Sequence, residues 1–394
     1  MNKITAIILA AGLSSRMGSF KPLLPLIETS LIERLIQLFR SAGINDIRVV
    51  VGHRADEVTP LIEMLGVQSI VNRSYHDGMF SSVLTGIQSL TLSTSGFFIL
   101  PVDVPLVRRQ TLLDLLNAFF QRNGKICYPT FLGERGHPPL LSMAFAQKIK
   151  CWSGHNGLRG FLALHENDAA EVPVADQYIL KDLDTPVDYQ WMVKRIKRYA
   201  IPTAAECRAL MTKRLIVPER VFDHCRAVAG VALCIGKALK AAGCRLDLGL
   251  IVSAALVHDL ARGKPNHTAE GSRVLREMEF PLLADIVEVH MDLSITNWVP
   301  ITEAEVVFLA DKLIQGHHRV DLSERFQSKL TKYGGDPVIR DRILSRKKNA
   351  FKVKNRVEAF LGKQIVELWP VCSKKPTNIL RLNHDRAEAP LTLS

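Results

Sequence analysis

Residues 4–26, ITAIILAAGLSSRMGSFKPLLPL, decide the fold. The opening ITAIIL is nearly continuous in apolar residues, the pattern of a strand buried on both faces of a parallel sheet. The chain then leaves through Ala10, Ala11 and Gly12, small enough for a flat base or a phosphate to approach the backbone. Arg16 and Lys21 follow as two cations. A strand, a glycine-bearing loop and a helix together present free N–H groups to an anion. Two common phosphate loops are excluded by spacing. Walker A needs four residues between its glycines, whereas Gly12 and Gly18 are separated by five and Ser19 follows; no G-x-G-x-x-G is present either.

Working outward, further strand-like runs are DIRVVVG, VQSIVN and GFFILPVD. Helix-like stretches, SLIERLIQLFRSAG, ADEVTPLIEMLG and SSVLTGIQSL, lie between them. This alternation predicts βαβ units, an α/β domain with a mainly parallel sheet, and a ligand site at the carboxyl ends of its strands. Past residue 199 the strand signal stops and amphipathic helices take over, with RYAIPTAAE as the junction and Thr203 as a helix cap. The expected organisation is an α/β domain over 1–198, an all-α domain over 203–365 and a flexible tail over 371–394. At 394 residues the chain exceeds the ~250–300 over which one core keeps growing.

The segment LAAGLSSRMGSFKPLLPL resembles the signature of the molybdenum-cofactor nucleotidyltransferases, a branch of the glycosyltransferase-A-like superfamily with a Rossmann-like sheet. Its LAAG, rather than LAGG, resembles the cytidylyltransferase side. The resemblance implies nucleotide contacts at Ala10, Ala11, Gly12, Arg16 and Lys21, with Arg16, Lys21 and Asp103 catalytic. Asp103, in PVDVP, would hold Mg²⁺, and Asp184, in DLDTPVDY, would be a second metal ligand with Asp182 close behind. The alternative for these two aspartates, a cap on the helix starting at Pro186, stays open. HDGMFSSVLTG resembles a helix start whose hydroxyls, Ser81 and Ser82, line the acceptor site, although Phe80 departs from the pattern. His137, in RGHPPLL, is either an acceptor contact or structural. The implied reaction takes CTP or another nucleoside triphosphate and a molybdopterin-type acceptor and releases pyrophosphate. A sugar or alditol phosphate is the alternative acceptor, and molybdoenzymes are possible docking partners.

The second half places His224, then HDLARGKPNH with His258, Asp259 and His267, then His290 and Asp311, on or beside apolar helical runs. Ionisable groups are costly there unless bound or paired. The order resembles the HD-domain metal phosphohydrolases. That implies His224, His258, Asp259 and Asp311 as primary ligands, and His267 and His290 as those of a second ion. A mixed imidazole–carboxylate set suits Mn, Fe or Zn, one or two ions. Arg262 and Lys264 are candidates for holding a substrate phosphate. A non-catalytic regulatory or docking module is the alternative reading of this half.

The formal charge of +12 suits anionic, phosphate-rich ligands. Part of it lies in RDRILSRKKNAFKVKNR, which carries no aromatic interleaving, so a solvated basic helix face is expected and nucleic acid is disfavoured. His317 and His318 read as a solvated helix end. Seven scattered cysteines, an odd number without a C-x-x-C pair, fit reduced thiols and a cytoplasmic protein. No run of about 18 apolar residues predicts a membrane span. The N-terminal apolar run continues into the patterned loop, so it is not read as a targeting segment.

Overall fold

A computed structural model describes residues 3–121, 125–295 and 300–368. The tail expected over 371–394 lies outside them. The chain divides into two compact units, Met1–Tyr199 and Ala200–Ser394.

The first unit is built on an eight-stranded sheet. Its path strands are β1 (Lys3–Ala10), β2 (Asp46–Val51), β3 (Gln68–Val71), β4 (Thr94–Pro101), β5 (Ile126–Phe131), β6 (Leu140–Ser142) and β7 (Ala169–Pro173), in the order β7-β5-β6-β4-β1-β2-β3. The short strand Glu134–Arg135 pairs with β5 off this path. β1 runs parallel to both β2 and β4, and β7 parallel to β5; β6 is inserted antiparallel between β4 and β5. The sheet is therefore mainly parallel, and β1 is buried from Ile4 to Ala10 because both its edges and both its faces are covered.

Helices α1 (Leu31–Ser41), α2 (Ala55–Met64) and α3 (Met79–Gln88) connect the first strands. α1 starts on a capping box between Ser30 and Glu33 and buries Leu31, Ile32, Leu35, Ile36 and Phe39 on one face. α3 lies close on the sheet: a Cβ at Gly86 would stand 2.5 Å from the Ile7 Cγ2 atom. That approach seats the last turn of α3 on the middle of β1. A further helix, α4 (Pro186–Ile196), closes the unit.

The second unit is almost wholly helical. Its main helices are α5 (Glu219–Ala241), α6 (Leu248–Val257), α7 (His267–Glu277), α8 (Pro281–Val289), α9 (Glu303–Lys312), α10 (Leu322–Tyr333) and α11 (Pro337–Leu361). It begins on a capping box between Thr203 and Glu206. α6 is buried all round from Gly249 to Val257, which makes it the central helix of the unit. His317 and His318 do not end a helix. They occupy the exposed turn of a short hairpin, Ile314–Gln315 with His318–Arg319, because Gly316 turns the chain at φ +62°. Cys127, Cys151, Cys207, Cys225 and Cys244 are free thiols, whereas Cys234 is disulfide-bonded, a departure from the reading of all seven as thiols.

Candidate functional sites

In the first unit the loop after β1 turns at Ser14 (φ 55°) and Gly18 (φ 69°) and returns as a single turn of 3-10 helix, Lys21–Leu23. The Lys21 N–H donates to Ser14 Oγ at 3.1 Å, which closes the loop on itself. A cleft of about 320 Å³ opens beside it, lined by Ala10, Ala11, Gly12, Arg16, Lys21, Ser82 and Asp103 among others. A volume of that order suits a small ligand.

The Lys21 ammonium, buried to 9% exposure, lies 3.2 Å from Asp103 Oδ2 and 3.0 Å from Asp184 Oδ1. Exposed Arg16 reaches the other oxygen of Asp184 at 3.1 Å. Three chain segments, about 80 residues apart in succession, thus meet on one ammonium. Asp103 follows β4, and its carbonyl accepts the Leu183 N–H at 2.7 Å, tying the two acidic segments together. The cap of α4 is Thr185, in a capping box with Asp188, so neither Asp182 nor Asp184 has that role. Asp188 also accepts the Asp184 N–H at 3.2 Å, which sets the approach of Asp184; nothing in the sequence singled it out.

Ser82 lines the cleft, and Ser81 and His137 are not among the lining residues. The Ser81 hydroxyl is engaged with the Ser74 and Gly78 carbonyls, and the buried Asn72 amide donates to both serines at 2.9 and 3.0 Å. Asn72 was not legible because its partners lie nine and ten residues on, across a turn. His137 sits on the acidic side: burial lowers its pKa against the opposing charges of Asp182 and Asp103. Its Nδ1 is buried without a partner among the described residues. Burial, then the nearby Asp103 and Asp184, raise the Asp182 carboxyl above its usual range, with His137 and Lys21 opposing.

In the second unit six predicted residues converge. His224 comes from α5, His258 and Asp259 from the end of buried α6, His267 from the start of α7, His290 from the end of α8 and Asp311 from α9. The ligand atoms of His224, His258 and Asp259 all lie within 4.8 Å of one another, as do those of Asp259, His267 and His290. Asp259 divides its oxygens between the two sets. Oδ2 stands 3.7 Å from His224 Nε2 and 3.6 Å from His258 Nε2; Oδ1 stands 3.5 Å from His267 Nε2 and 3.6 Å from His290 Nε2. Asp311 Oδ1 joins the first set, 3.2 Å from His224 Nε2.

Three imidazoles have Nδ1 against a backbone carbonyl: His224 on Gly316 at 2.7 Å, His258 on Ala255 at 2.8 Å and His290 on Val287 at 2.6 Å. That bond orients Nε2 into the cluster, as in metal-ligating histidines. The Nε2 atoms of His258 and His290 are buried without hydrogen-bond partners among the described residues. Burial pushes His258 down to about 4 despite Asp259 and Asp311, leaving a neutral imidazole at neutral pH. Burial opposes the charge of Asp259, but His258, His290 and Arg262 outweigh it and hold the carboxyl well below its usual range. The orphaned nitrogens and the two-faced carboxylate fit one or two divalent transition metals.

Arg262 does lie on Asp259, but Lys264 is engaged with Glu270 at 3.0 Å. Residues that the sequence did not single out complete the surroundings. Lys312 is fully buried, 2.6 Å from Asp311 Oδ2 and donating to the His290 carbonyl at 3.1 Å. Arg325 donates to the Asp311 carbonyl at 2.8 Å, and Arg346 grips Asp292 through two bonds at 2.7 and 2.6 Å.

The first unit is an α/β domain whose glycine loop opens on a cleft with a lysine–carboxylate cluster, and the second a helical domain with a histidine–aspartate cluster. The chain carries a MobA-like NTP transferase domain, matched over residues 6–170, and an HD domain over residues 221–315. Its transferase is of the nucleotidyltransferase class. An uncharacterised protein of Methanocaldococcus jannaschii, MJ0778, is 32% identical over 32% of this chain and 86% of its own length. The molybdenum cofactor cytidylyltransferase of Escherichia coli K12 is 28% identical over 48% of this chain and 95% of its own. The nicotine blue oxidoreductase of Paenarthrobacter nicotinovorans is 26% identical over 46% and 92%. Among the described residues no helix is long and apolar enough to cross a membrane.

Proposed function

We propose that the first unit transfers a cytidylyl group from CTP to the phosphate of a molybdopterin-type acceptor, with Mg²⁺ and release of pyrophosphate. What supports this most is the meeting of Asp103 and Asp184 on Lys21 at the mouth of the glycine loop. Paired carboxylate oxygens are the donors a hard cation takes, so Asp103 and Asp184 fit magnesium. Bound there, the ion supplies charge neutralisation at the reacting phosphates. Arg16 and Lys21 then hold the β- and γ-phosphates, the backbone of Ala10, Ala11 and Gly12 admits the nucleotide, and Ser82 and His137 face the acceptor, with Ser81 fixing the helix start. The acceptor phosphate is already anionic and needs no general base, so orientation and electrostatics carry the rate. The cytidylyltransferase relative supports base and acceptor. The oxidoreductase relative means that likeness alone does not fix the chemistry, and the lysine–carboxylate cluster has to carry it.

Pyrophosphate release tests this, with CTP, GTP and UTP offered against molybdopterin and against sugar and alditol phosphates. CTP with molybdopterin is the expected pair. Asp103→Asn should lower kcat/KM by on the order of 10²–10³-fold with unchanged circular dichroism. Turnover with a sugar phosphate alone would replace the acceptor, and a near-normal Asp103→Asn enzyme would remove the site.

For the second unit we infer hydrolysis of a phosphate ester at the histidine–aspartate cluster, with Mn, Fe or Zn. The support is the pair of orphaned Nε2 atoms, which a metal would satisfy. Metal content after anaerobic purification, with release of phosphate from generic esters and nucleotides, decides it. A metal-loaded chain that hydrolyses none of them favours the regulatory or docking reading.

A further inference from the structure

The cluster of the second unit has a basic edge. Arg325 and Lys329 lie one turn apart on α10, so both face the same side of that helix. Arg325 donates to the Asp311 carbonyl and stands 3.8 Å from its Oδ1. Lys312 holds the other Asp311 oxygen and the His290 carbonyl. Arg346, on α11, chelates Asp292, two residues past His290. Lys312 and Arg325 therefore meet at Asp311, Lys329 lies one helical turn beyond Arg325, and Arg346 closes on the segment just past His290. Among the described residues two carboxylates answer them, Asp311 beside Lys312 and Arg325, and Asp292 beside Arg346.

Lys329 is the odd one. It has no hydrogen bond or ion pair among the described residues. Burial, then Arg325, Lys312 and Arg346, push its ammonium down to about 8, with Asp311 the opposing charge. A half-buried lysine among like charges destabilises the fold unless an anion joins it.

We propose that Lys329, supported by Arg325 and Arg346, is an anion site at the edge of the histidine–aspartate cluster that takes a doubly charged phosphoryl group, so that a phosphomonoester or terminal phosphate is the substrate class. The role as a substrate site rests on the hydrolase reading above; the anion site itself does not. A diester brings one negative charge to this edge, whereas a terminal phosphate brings about two and presents three acceptor oxygens. Arg262, on Asp259, lies on the other carboxylate of the cluster, so a bound phosphoryl group would have cations on both sides.

Isothermal titration of the Mn²⁺-loaded full-length chain, freed of excess metal, with inorganic phosphate tests the site in the parent, Lys329→Met and Lys329→Arg. Any phosphate held by the first unit is common to all three. Lys329→Met should weaken phosphate binding at least about tenfold, and Lys329→Arg should hold it within about threefold. Metal content should not change. Without phosphate, Lys329→Met should melt at the parent temperature or above it, because it removes a disfavoured charge. Unchanged phosphate affinity in Lys329→Met, equal loss in both variants, or loss of Mn²⁺ would overturn the proposal. Hydrolysis of p-nitrophenyl phosphate is scored apart. A parent protein that binds phosphate through Lys329 and hydrolyses nothing keeps the anion site and sinks the hydrolase reading. Parent-like kcat and KM in Lys329→Met sink the substrate role of Lys329.

Discussion

Lys21 shows what a single side chain decides. The sequence placed it beside a phosphate loop, and in the folded chain it neutralises two carboxylates from segments far away in sequence. Its removal leaves Asp103 and Asp184 facing each other across a cleft that, on the proposed function, admits a triphosphate. Lys21→Met is therefore expected to raise the KM for the nucleotide and to lower kcat/KM for pyrophosphate release by on the order of 10²-fold. Equal kinetics in parent and variant would mean the phosphates lie elsewhere. His258 makes a different prediction. Its folded pKa of about 4 lies below the unfolded value near 6.5, so the unfolded chain takes up the proton first. Stability of the metal-free protein is then fully present above about 6.5 and is lost as pH falls toward 4, by on the order of 3 kcal/mol from this one group. Half-buried His267, also lowered chiefly by burial, adds to the same window. Urea midpoints from pH 7 to 4.5 in the presence of a chelator measure it, and a flat profile would contradict a buried neutral His258. The imidazoles and aspartates were legible because they are rare on apolar helices. Asn72 and Asp188 were not, since a polar residue near a turn looks the same whether it caps the chain or positions a site residue.

At the scale of elements, α11 corrects the reading of its sequence. The buried Ile343, Ala350, Val353 and Val357 show the amphipathic face that periodicity implies. Its cations, read as solvated, are partly engaged. Arg346 binds Asp292, Asn349 donates to the Leu293 carbonyl at 3.0 Å, Lys352 to the Ile295 carbonyl at 3.1 Å, and Arg356 pairs with Glu305. These contacts recur every three or four residues along one face, and their partners lie 51 to 57 residues away in the chain. Charge composition carries no trace of such partners. Glu305 is buried and also closes the capping box of α9 with Thr302. Arg356→Met should thus cost about 3 kcal/mol, the loss that follows when one member of a buried pair is removed. Adding Glu305→Gln should recover part of it, because no charge is left behind. A double-mutant cycle by urea unfolding reads the coupling, and additive losses would show that the pair does not act together.

For the molecule as a whole, the alternation of strands and helices followed by helices alone was visible in the sequence, and so was the change near residue 200. The inserted antiparallel β6 was not, because a three-residue strand of Leu140, Leu141 and Ser142 has no periodicity to detect. Each unit has its own core and its own ligand chemistry: carboxylate oxygens with cations in the first, imidazoles around a shared carboxylate in the second. Ligands that bind only the folded form raise its stability by mass action, about 2.7 kcal/mol at a hundredfold excess over Kd. Calorimetry of the full chain should therefore resolve two transitions. Mn²⁺ at low concentration should move one of them upward by several degrees, and His258→Ala should abolish that shift while leaving the other transition in place. CTP with Mg²⁺ should move the second transition, and Asp103→Asn should abolish that shift alone. A single transition that both ligands move together would mean that the two chemistries share one cooperative fold.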